Sequence, residues 1–140
     1  MEKVYSKIDP SLLLHIIVRV GDFKGKSFFP VTEIDSFLQS IGLCLNEGHI
    51  AIPHKHIEAV VNYDKRQQQE AWVVLNGTIM CYLYDTDDTL LCSKILQEKC
   101  CLITLYGGHS LSVLEDNTCI LEFKCGPYKG QINDKVFINK

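Results

Sequence analysis

His54 and His56 are two histidines separated by a single residue, and this pair is the pattern in the sequence that most directly indicates a chemical role. In a strand, side chains at positions i and i+2 point to the same face. If the strand stays regular past Pro53, both imidazoles share a face with Ile50 and Ile52, which predicts that this face lines a core. Each buried imidazole needs partners for two ring nitrogens, and a shared divalent metal ion meets that demand.

Further donors for such an ion occur later in the chain. Glu70 opens a strand-like segment, and His109 follows Gly107-Gly108, a glycine pair that allows the backbone to turn a side chain inward. Gln68, two residues before Glu70, is an alternative oxygen donor on the same face. Three imidazoles and a carboxylate form a set suited to Zn, Fe, Mn, Ni or Co. Two alternatives stay open: a metal-free acid/base or sugar-binding role, and packing of the histidines in the core.

The spacing around these residues resembles the first motif of the cupin superfamily, G(x)5HxH(x)3-4E(x)6G. Five residues separate Gly48 from His54, and six separate Glu70 from Gly77, as in that motif. Thirteen residues lie between His56 and Glu70 where the family has three or four. The intervening segment therefore resembles an insertion at the mouth of a barrel, either a solvated loop or a lid.

The second cupin motif, G(x)5PxG(x)2H(x)3N, is only partly present. His109 matches its histidine, and Gly107 or Gly108 matches a glycine. Lys99-Cys100 stands at the leading position, the proline is missing, and Val113 stands at the position of the asparagine. The resemblance spans roughly residues 43 to 125.

This resemblance implies an all-β fold: a cupin-type double-stranded β-helix, or jelly-roll barrel. It implies a divalent transition metal held by His54, His56, Glu70 and His109. It also implies a homodimer, because N-terminal strands of such barrels commonly pair with the neighbour's sheet. The blocks "QEAWVVLNG", "YGGHSLSVLED" and "GPYKGQINDKVF" are similar to small single-domain bacterial cupins associated with surface-polysaccharide biosynthesis.

Four further residues are weaker site candidates. Trp72 shares a face with Glu70, which predicts core or pocket wall, with a substrate platform as the alternative. Gln68 and Tyr82 are candidates for the substrate pocket, although packing on the solvent side or in a dimer also fits Tyr82. Glu122 alternates with its apolar neighbours, so it either faces water or enters the barrel as an acid/base catalyst.

Short strands are predicted to carry these residues. Apolar runs rich in β-branched and aromatic residues are interrupted by turn chemistry at Asn76-Gly77, a hairpin signal, and at residues 85–88. This pattern predicts a sandwich or barrel. In "DPSLLLHIIVRV", Asp9-Pro10 could open a helix, but the β-branched residues that follow favour a strand. "TEIDSFLQSIG" is predicted as the one short helix, with Thr32 as N-cap and Gly42 ending it.

Length and composition predict one domain, residues 1–140, with a barrel core at about 43–125 on which residues 1–42 and a C-terminal tail pack. The net charge of −3 leaves no basic face, which argues against nucleic acid as a partner. No apolar run approaches the roughly 20 residues that cross a bilayer. The first ten residues do not resemble a secretory signal.

Seven cysteines without a CxxC pair argue against a disulfide framework and against a zinc knuckle. They predict thiols used as small apolar fillers, and hence a reducing compartment, the cytoplasm. The fillers are Cys81, Cys92, Cys100, Cys101, Cys119 and Cys125.

The donor set favours a metal-dependent protein that acts on a small polar molecule. The resemblance implies that this molecule is a carbohydrate or nucleotide sugar and that the reaction is an isomerisation or epimerisation. One alternative is a non-catalytic module that binds or senses a ligand. Another is a metal-free sugar epimerase or ketoisomerase in which a histidine is the base.

Overall fold

The computed structural model describes residues 1–11, 13–61 and 64–138. Strands dominate these ranges, which confirms the all-β prediction. The elements are β1 (Glu2–Tyr5), β2 (Leu13–Ile17), α1 (Val20–Phe23), β3 (Phe29–Pro30), β4 (Leu38–Leu45), β5 (Ile50–His56), β6 (Glu58–Val61), β7 (Asp64–Gln67), β8 (Glu70–Asn76), β9 (Thr78–Tyr84), β10 (Leu90–Gln97), β11 (Cys101–Thr104), β12 (Gly108–Val113), β13 (Thr118–Cys125), a 3-10 turn (Gln131–Asn133) and β14 (Lys135–Phe137).

Ten of these strands form two five-stranded sheets whose neighbouring strands are antiparallel. The first sheet has the order β10-β9-β12-β5-β14, and the second has the order β11-β8-β13-β4-β3. Strands β1 and β2 form a separate hairpin, as do β6 and β7. The two large sheets face each other as a jelly roll, and strands outside residues 43–125, namely β3, most of β4 and β14, also belong to them.

The Asn76-Gly77 turn joins β8 to β9, but these strands belong to different sheets, so the hairpin prediction is wrong. Gly77 has φ +84°, and a Cβ there would collide with Thr118. The chain therefore turns a corner between the sheets at a point where only glycine fits. The predicted turn at residues 85–88 does join paired strands, β9 and β10.

The barrel interior is apolar at one end. Side chains from both sheets pack there, with Val74, Ile79 and Ile120 fully buried. These side chains alternate with outward-facing ones along β8, β9 and β13, as the period of two requires. Towards the other end the same interior faces become polar: the face of β8 reads Val74, Trp72, Glu70, and that of β13 begins at Thr118 and ends at Lys124.

The stretch predicted as a helix, "TEIDSFLQSIG", is a turn followed by β4, so that prediction is wrong. From Leu38 onwards the chain pairs with β13, and pairing between distant segments outweighs the local helical preference. The Thr32 hydroxyl accepts the Ser40 N–H at 2.9 Å instead of capping a helix. Gly42 lies within β4, where a Cβ would fall 2.6 Å from the ring of Phe23. The single-turn helix is α1, which carries Phe23.

A second apolar cluster lies on the outer face of the second sheet, where Phe23 covers Cys44 and Cys119. These two cysteines lie opposite each other on β4 and β13 and form a disulfide. The prediction of Cys119 as a free filler is therefore wrong. Sequence spacing did not show the pair, because the bridge depends on strand register. The remaining five cysteines are free thiols, and burial raises the pKa of Cys81 to about 12.

The strand predicted within "DPSLLLHIIVRV" is confirmed as β2, which pairs with β1. Among the described residues, no helix is long and apolar enough to span a membrane.

Candidate metal centre

The strand β5 is irregular where it delivers the histidines. Ala51 and His54 pair with Leu111 and His109 of β12, so between these pairs β5 has one residue more than its partner strand. Such a β-bulge breaks the alternation of side chains. Ala51 and His54 consequently both face the interior, whereas Ile52 is 61% exposed.

The predicted core positions of Ile50 and Ile52 are therefore wrong, since both side chains are more than half exposed. The predicted burial of His54 and His56 is confirmed, with 5% and 4% exposure. Pro53 lies within the bulge, a position where the missing N–H removes no ladder hydrogen bond.

The structure brings His54, His56, Glu70 and His109 together. One potential ligand atom from each residue lies within 4.8 Å of those of the others. The carboxylate of Glu70 lies between two imidazoles, with Oε2 at 2.9 Å from His56 Nε2 and Oε1 at 3.3 Å from His109 Nε2. All four residues are buried. Residues from three strands of both sheets thus meet at the polar end of the barrel.

The Nδ1 atom of each imidazole contacts an oxygen that holds the ring in place. Nδ1–H of His54 donates to the Ile52 carbonyl at 2.8 Å. Nδ1–H of His56 donates to the Asp134 carbonyl at 3.2 Å. His109 Nδ1 lies 2.7 Å from the Thr104 hydroxyl. Outer contacts of this kind orient metal-binding histidines and leave their Nε2 atoms for the ion.

The glycine pair before His109 has the role predicted for it. Gly107 has φ +77°, and a Cβ at this position would collide with the carbonyl oxygen of Tyr84. This conformation starts β12 directly beside β9, with His109 facing inwards.

Two of the clustered groups have strongly shifted and complementary pKa values. Burial acts to raise the pKa of Glu70, but hydrogen bonds with His109 and His56 hold it well below its usual range. Burial acts to lower the pKa of His56, but hydrogen bonds with Asp134 and Glu70 raise it to about 9. At neutral pH, therefore, His56 is an imidazolium that neutralises the Glu70 carboxylate.

His54 is neutral. Burial lowers its pKa to about 3, and the positive charge of Lys135 contributes to this shift. Its Nδ1 carries the proton that is donated to Ile52, so Nε2 carries a lone pair, and Lys135 Nζ lies 3.1 Å from it.

These residues fit a divalent transition metal. Three imidazole nitrogens and one carboxylate oxygen are a donor set typical of such ions. The buried carboxylate offsets part of the ion's charge, and metal binding would compete with the proton on His56.

Two of the weaker candidates also face the interior. The ring of Trp72 lies 4.5 Å from that of His109, centroid to centroid, and its Nε1–H donates to Glu122 Oε2 at 3.3 Å. Trp72 thus separates the apolar core from the cluster. Burial and the negative charge of Glu70 raise the pKa of Glu122 to about 7.

The structure does not bring Tyr82 or Gln68 to the cluster. Tyr82 pairs with Ser110 on the sheet face opposite to His109, because the two positions differ by one residue in the ladder. Gln68 lies between β7 and β8, and its N–H donates to the Ile57 carbonyl at 3.3 Å. The predicted insertion contains the hairpin β6–β7, whose residues 62 and 63 lie outside the described residues.

Three residues near the cluster were not predicted. Lys124 lies opposite Glu70 on β13, and its Nζ is 3.4 Å from Asp134 Oδ2. Asp134 and Lys135 arrive from the C-terminal tail, where β14 pairs with β5. The alternation of Glu122 and Lys124 along β13 was a usable signal for Lys124. The tail carried no such signal, because its pairing is non-local.

A cavity of about 350 Å³ opens beside the cluster. His56 contributes to its wall. The other lining residues are Lys55, Ile57, Glu58, Thr86, Tyr106, Gly107 and Val136.

Several solved structures are similar to this chain. CapF bound to the inhibitor 3-isopropenyl-tropolone superposes with a TM-score of 0.65 at 15% identity, over 96% of this chain and 36% of that chain. KdgF from Halomonas sp. has a TM-score of 0.56 at 13% identity, over 73% and 80%. Oxalate decarboxylase from Bacillus subtilis has a TM-score of 0.55 at 20% identity, over 75% and 25%.

This chain therefore spans about a quarter of the length of the oxalate decarboxylase and about a third of that of CapF. No protein-family model and no curated protein matches the sequence. The structural neighbours are cupins, and at these identities the similarity concerns the fold. The chain has the cupin fold, as its histidine motif indicated.

Proposed function

We propose that His54, His56, Glu70 and His109 bind one divalent transition metal ion. The observation that carries this proposal is the convergence of one potential ligand atom from each of three imidazoles and a carboxylate, all within 4.8 Å of one another at a buried position. Zn, Fe, Mn, Ni and Co all suit the donor set. A bound ion would supply a Lewis acid for a carbonyl or hydroxyl oxygen of a substrate.

The proposed substrate is a small polar molecule, a carbohydrate or nucleotide sugar, and the proposed reaction is an isomerisation or epimerisation. The cavity beside His56 has the volume of a small-molecule site. The sequence blocks similar to cupins of surface-polysaccharide biosynthesis support a sugar. Among the structural neighbours, an oxalate decarboxylase is named for a small, oxygen-rich substrate.

Glu122 is the proposed proton-transfer residue. Its carboxyl faces the interior beside Trp72, and its pKa of about 7 allows it to accept and release a proton at neutral pH. Isomerisation and epimerisation both need such a group next to the reacting carbon.

We further propose a cytoplasmic homodimer. Apolar side chains on the hairpin β1–β2, such as Tyr5 and Leu14, are about half exposed and support a partner surface. The five free thiols support a reducing compartment, whereas the Cys44–Cys119 bridge opposes it. Light scattering at micromolar concentration tests the dimer, and a monomer would contradict it.

The function is tested on purified protein by elemental analysis, followed by turnover assays with a panel of nucleotide sugars. We expect one transition metal ion per chain and turnover that chelation abolishes. His54→Ala should remove both metal and turnover, whereas His49→Ala, an exposed histidine, should retain them.

Other results of these assays would support an alternative function or contradict the metal site. Tight ligand binding without turnover would support the non-catalytic module instead. Full activity after exhaustive chelation would support the metal-free epimerase or ketoisomerase. A protein that neither contains nor binds a transition metal would contradict the proposal.

A further inference from the structure

The contact between Lys135 and His54 has a defined direction. Nδ1 of His54 is 2.8 Å from a carbonyl oxygen of Ile52, which can only accept, so Nδ1 carries the proton. Nε2 then has a lone pair. The ammonium group of Lys135, which only donates, lies 3.1 Å from this atom. Lys135 therefore donates a hydrogen bond to the lone pair of His54 Nε2.

That lone pair is the one that a metal ion would use. The Nε2 atoms of His56 and His109 lie 2.9 and 3.3 Å from the carboxylate oxygens of Glu70, so His54 completes the set through the same ring atom. One lone pair cannot serve an ammonium proton and a metal ion together. The like charges of the two cations also oppose their close approach in a buried site.

We propose that Lys135 is an internal competitor of the metal: it occupies the His54 lone pair in the metal-free protein and leaves when an ion binds. This inference rests on the proposed metal site. Whenever no ion is bound, Lys135 satisfies the buried Nε2 atom of His54, which would destabilise the fold if it had no partner. It also sets the metal affinity, because each binding event must break the contact between Lys135 and His54.

The structure offers the displaced ammonium group a place to go. Lys135 Nζ lies 3.9 Å from Asp134 Oδ2, and its side chain is 18% exposed. A small rotation of the side chain moves the ammonium towards that carboxylate and towards solvent.

Lys135 could instead have a purely structural role as the ion-pair partner of Asp134, but the distances favour its contact with His54. The contact with His54, at 3.1 Å, is the shorter one. Asp134 is already closer to Lys124, whose Nζ is 3.4 Å from Oδ2 and lies 4.5 Å from the ring centroid of Tyr128. Lys124 is therefore a matched control: an interior lysine that contacts the same carboxylate rather than His54.

The test compares the metal affinities of Lys135→Met and Lys124→Met with wild type. Zn²⁺ is titrated calorimetrically into metal-free protein at one pH, against a competing chelator. We expect Lys135→Met to bind Zn²⁺ at least about tenfold more tightly, since about 1.4 kcal/mol corresponds to a factor of ten. We expect Lys124→Met to stay within about threefold of wild type. Lys135→Arg, which keeps the charge and the donors, should bind like wild type and covers the case in which the methionine variant does not fold.

A second measurement follows Lys135 itself. Acetylation of wild-type protein, read by peptide mass spectrometry, should label Lys135 several-fold faster after Zn²⁺ is added, while labelling of exposed Lys3 stays constant. The inference would be overturned if Zn²⁺ left the labelling of Lys135 unchanged and if Lys135→Met bound Zn²⁺ no more tightly than wild type. Wild-type protein that binds no metal ion would be a different result: it would refute the metal site and, with it, this inference.

Discussion

His54 and His109 occupy directly opposite positions on β5 and β12, and their ring centroids are 4.7 Å apart. One pair of neighbouring strands thus supplies two of the three clustered imidazoles. The third, His56, follows on β5, and Glu70 reaches the same point from the other sheet. The site therefore depends on the register of one antiparallel ladder and on the packing of two sheets.

The first prediction is that a bound metal ion stabilises the folded protein. Adding Zn²⁺ to metal-free protein at about 100 times its Kd should stabilise the fold by about 2.7 kcal/mol, because the ion binds only the folded state. For a chain of this length, this amounts to a rise in Tm of roughly 5–10 °C in differential scanning fluorimetry. His109→Ala should lose most of this rise, and His15→Ala, on an exposed strand, should keep it. An undiminished rise in the His109 variant would contradict the site.

The second prediction concerns the pH dependence of the metal-free protein. Burial and the charge of Glu70 raise the pKa of Glu122 from 4.5 to about 7, so in this interval the folded state binds a proton that the unfolded state has lost. Stability should therefore fall as pH rises from about 4.5 to 7. At about 1.36 kcal/mol per pKa unit, Glu122 contributes a decrease of up to about 3 kcal/mol.

Urea unfolding at pH 5 and pH 8 measures this decrease. Glu122→Gln has no carboxyl group to ionise, so it should lose less stability than wild type between the two pH values and should be the more stable protein at pH 8. Parallel pH profiles for the two proteins would show that Glu122 titrates normally.

The third prediction compares two glycines of the histidine motif. Gly48 and Gly77 both have φ +84°, but only a Cβ at Gly77 would meet another residue, Thr118. Gly48→Ala should cost about 1–2 kcal/mol from backbone conformation alone. Gly77→Ala should cost at least about 2 kcal/mol more, since the backbone must also move. Equal midpoints in chemical denaturation would contradict the described corner between β8 and β9.

The fourth prediction concerns the cysteines. Thiol titration of denatured, unreduced protein should find five free thiols, and reduction should raise the number to seven. The Cys44–Cys119 bridge closes a loop with a sequence separation of 75 residues, so replacing both cysteines by alanine should lower stability by about 4 kcal/mol. Cys92→Ala, at a partly buried free thiol, is the control. Seven thiols before reduction would refute the bridge.

Much of the candidate site was predictable from local patterns. The two histidines at i and i+2, the carboxylate before a strand and the histidine after a glycine pair were each recognisable, and their spacing matched a known motif. Alternation within a strand is a local property, and it was enough to put Trp72 on the same face as Glu70. It left open whether Glu122 faces water or the barrel interior.

The predictions from sequence failed at positions where pairing with another strand determines the exposure or the secondary structure of a residue. Ile52 was predicted as a core residue. It is exposed by a bulge, which arises because β5 has one residue more than β12 between two paired positions. Gly42 looked like the end of a helix, but pairing with β13 makes it part of a strand. Asn76-Gly77 has the sequence of a hairpin turn, yet the flanking strands belong to opposite sheets.

The order of residues along the chain is enough to show which donor groups exist and that short strands form with alternately apolar and polar faces. The three-dimensional fold, in contrast, brings Asp134 and Lys135 to the histidines, brings Cys44 to Cys119, and directs Tyr82 away from the cluster. The physical reason is that strand pairing joins segments far apart in the chain. A shift of one residue in that pairing exchanges the interior and exterior faces of a strand.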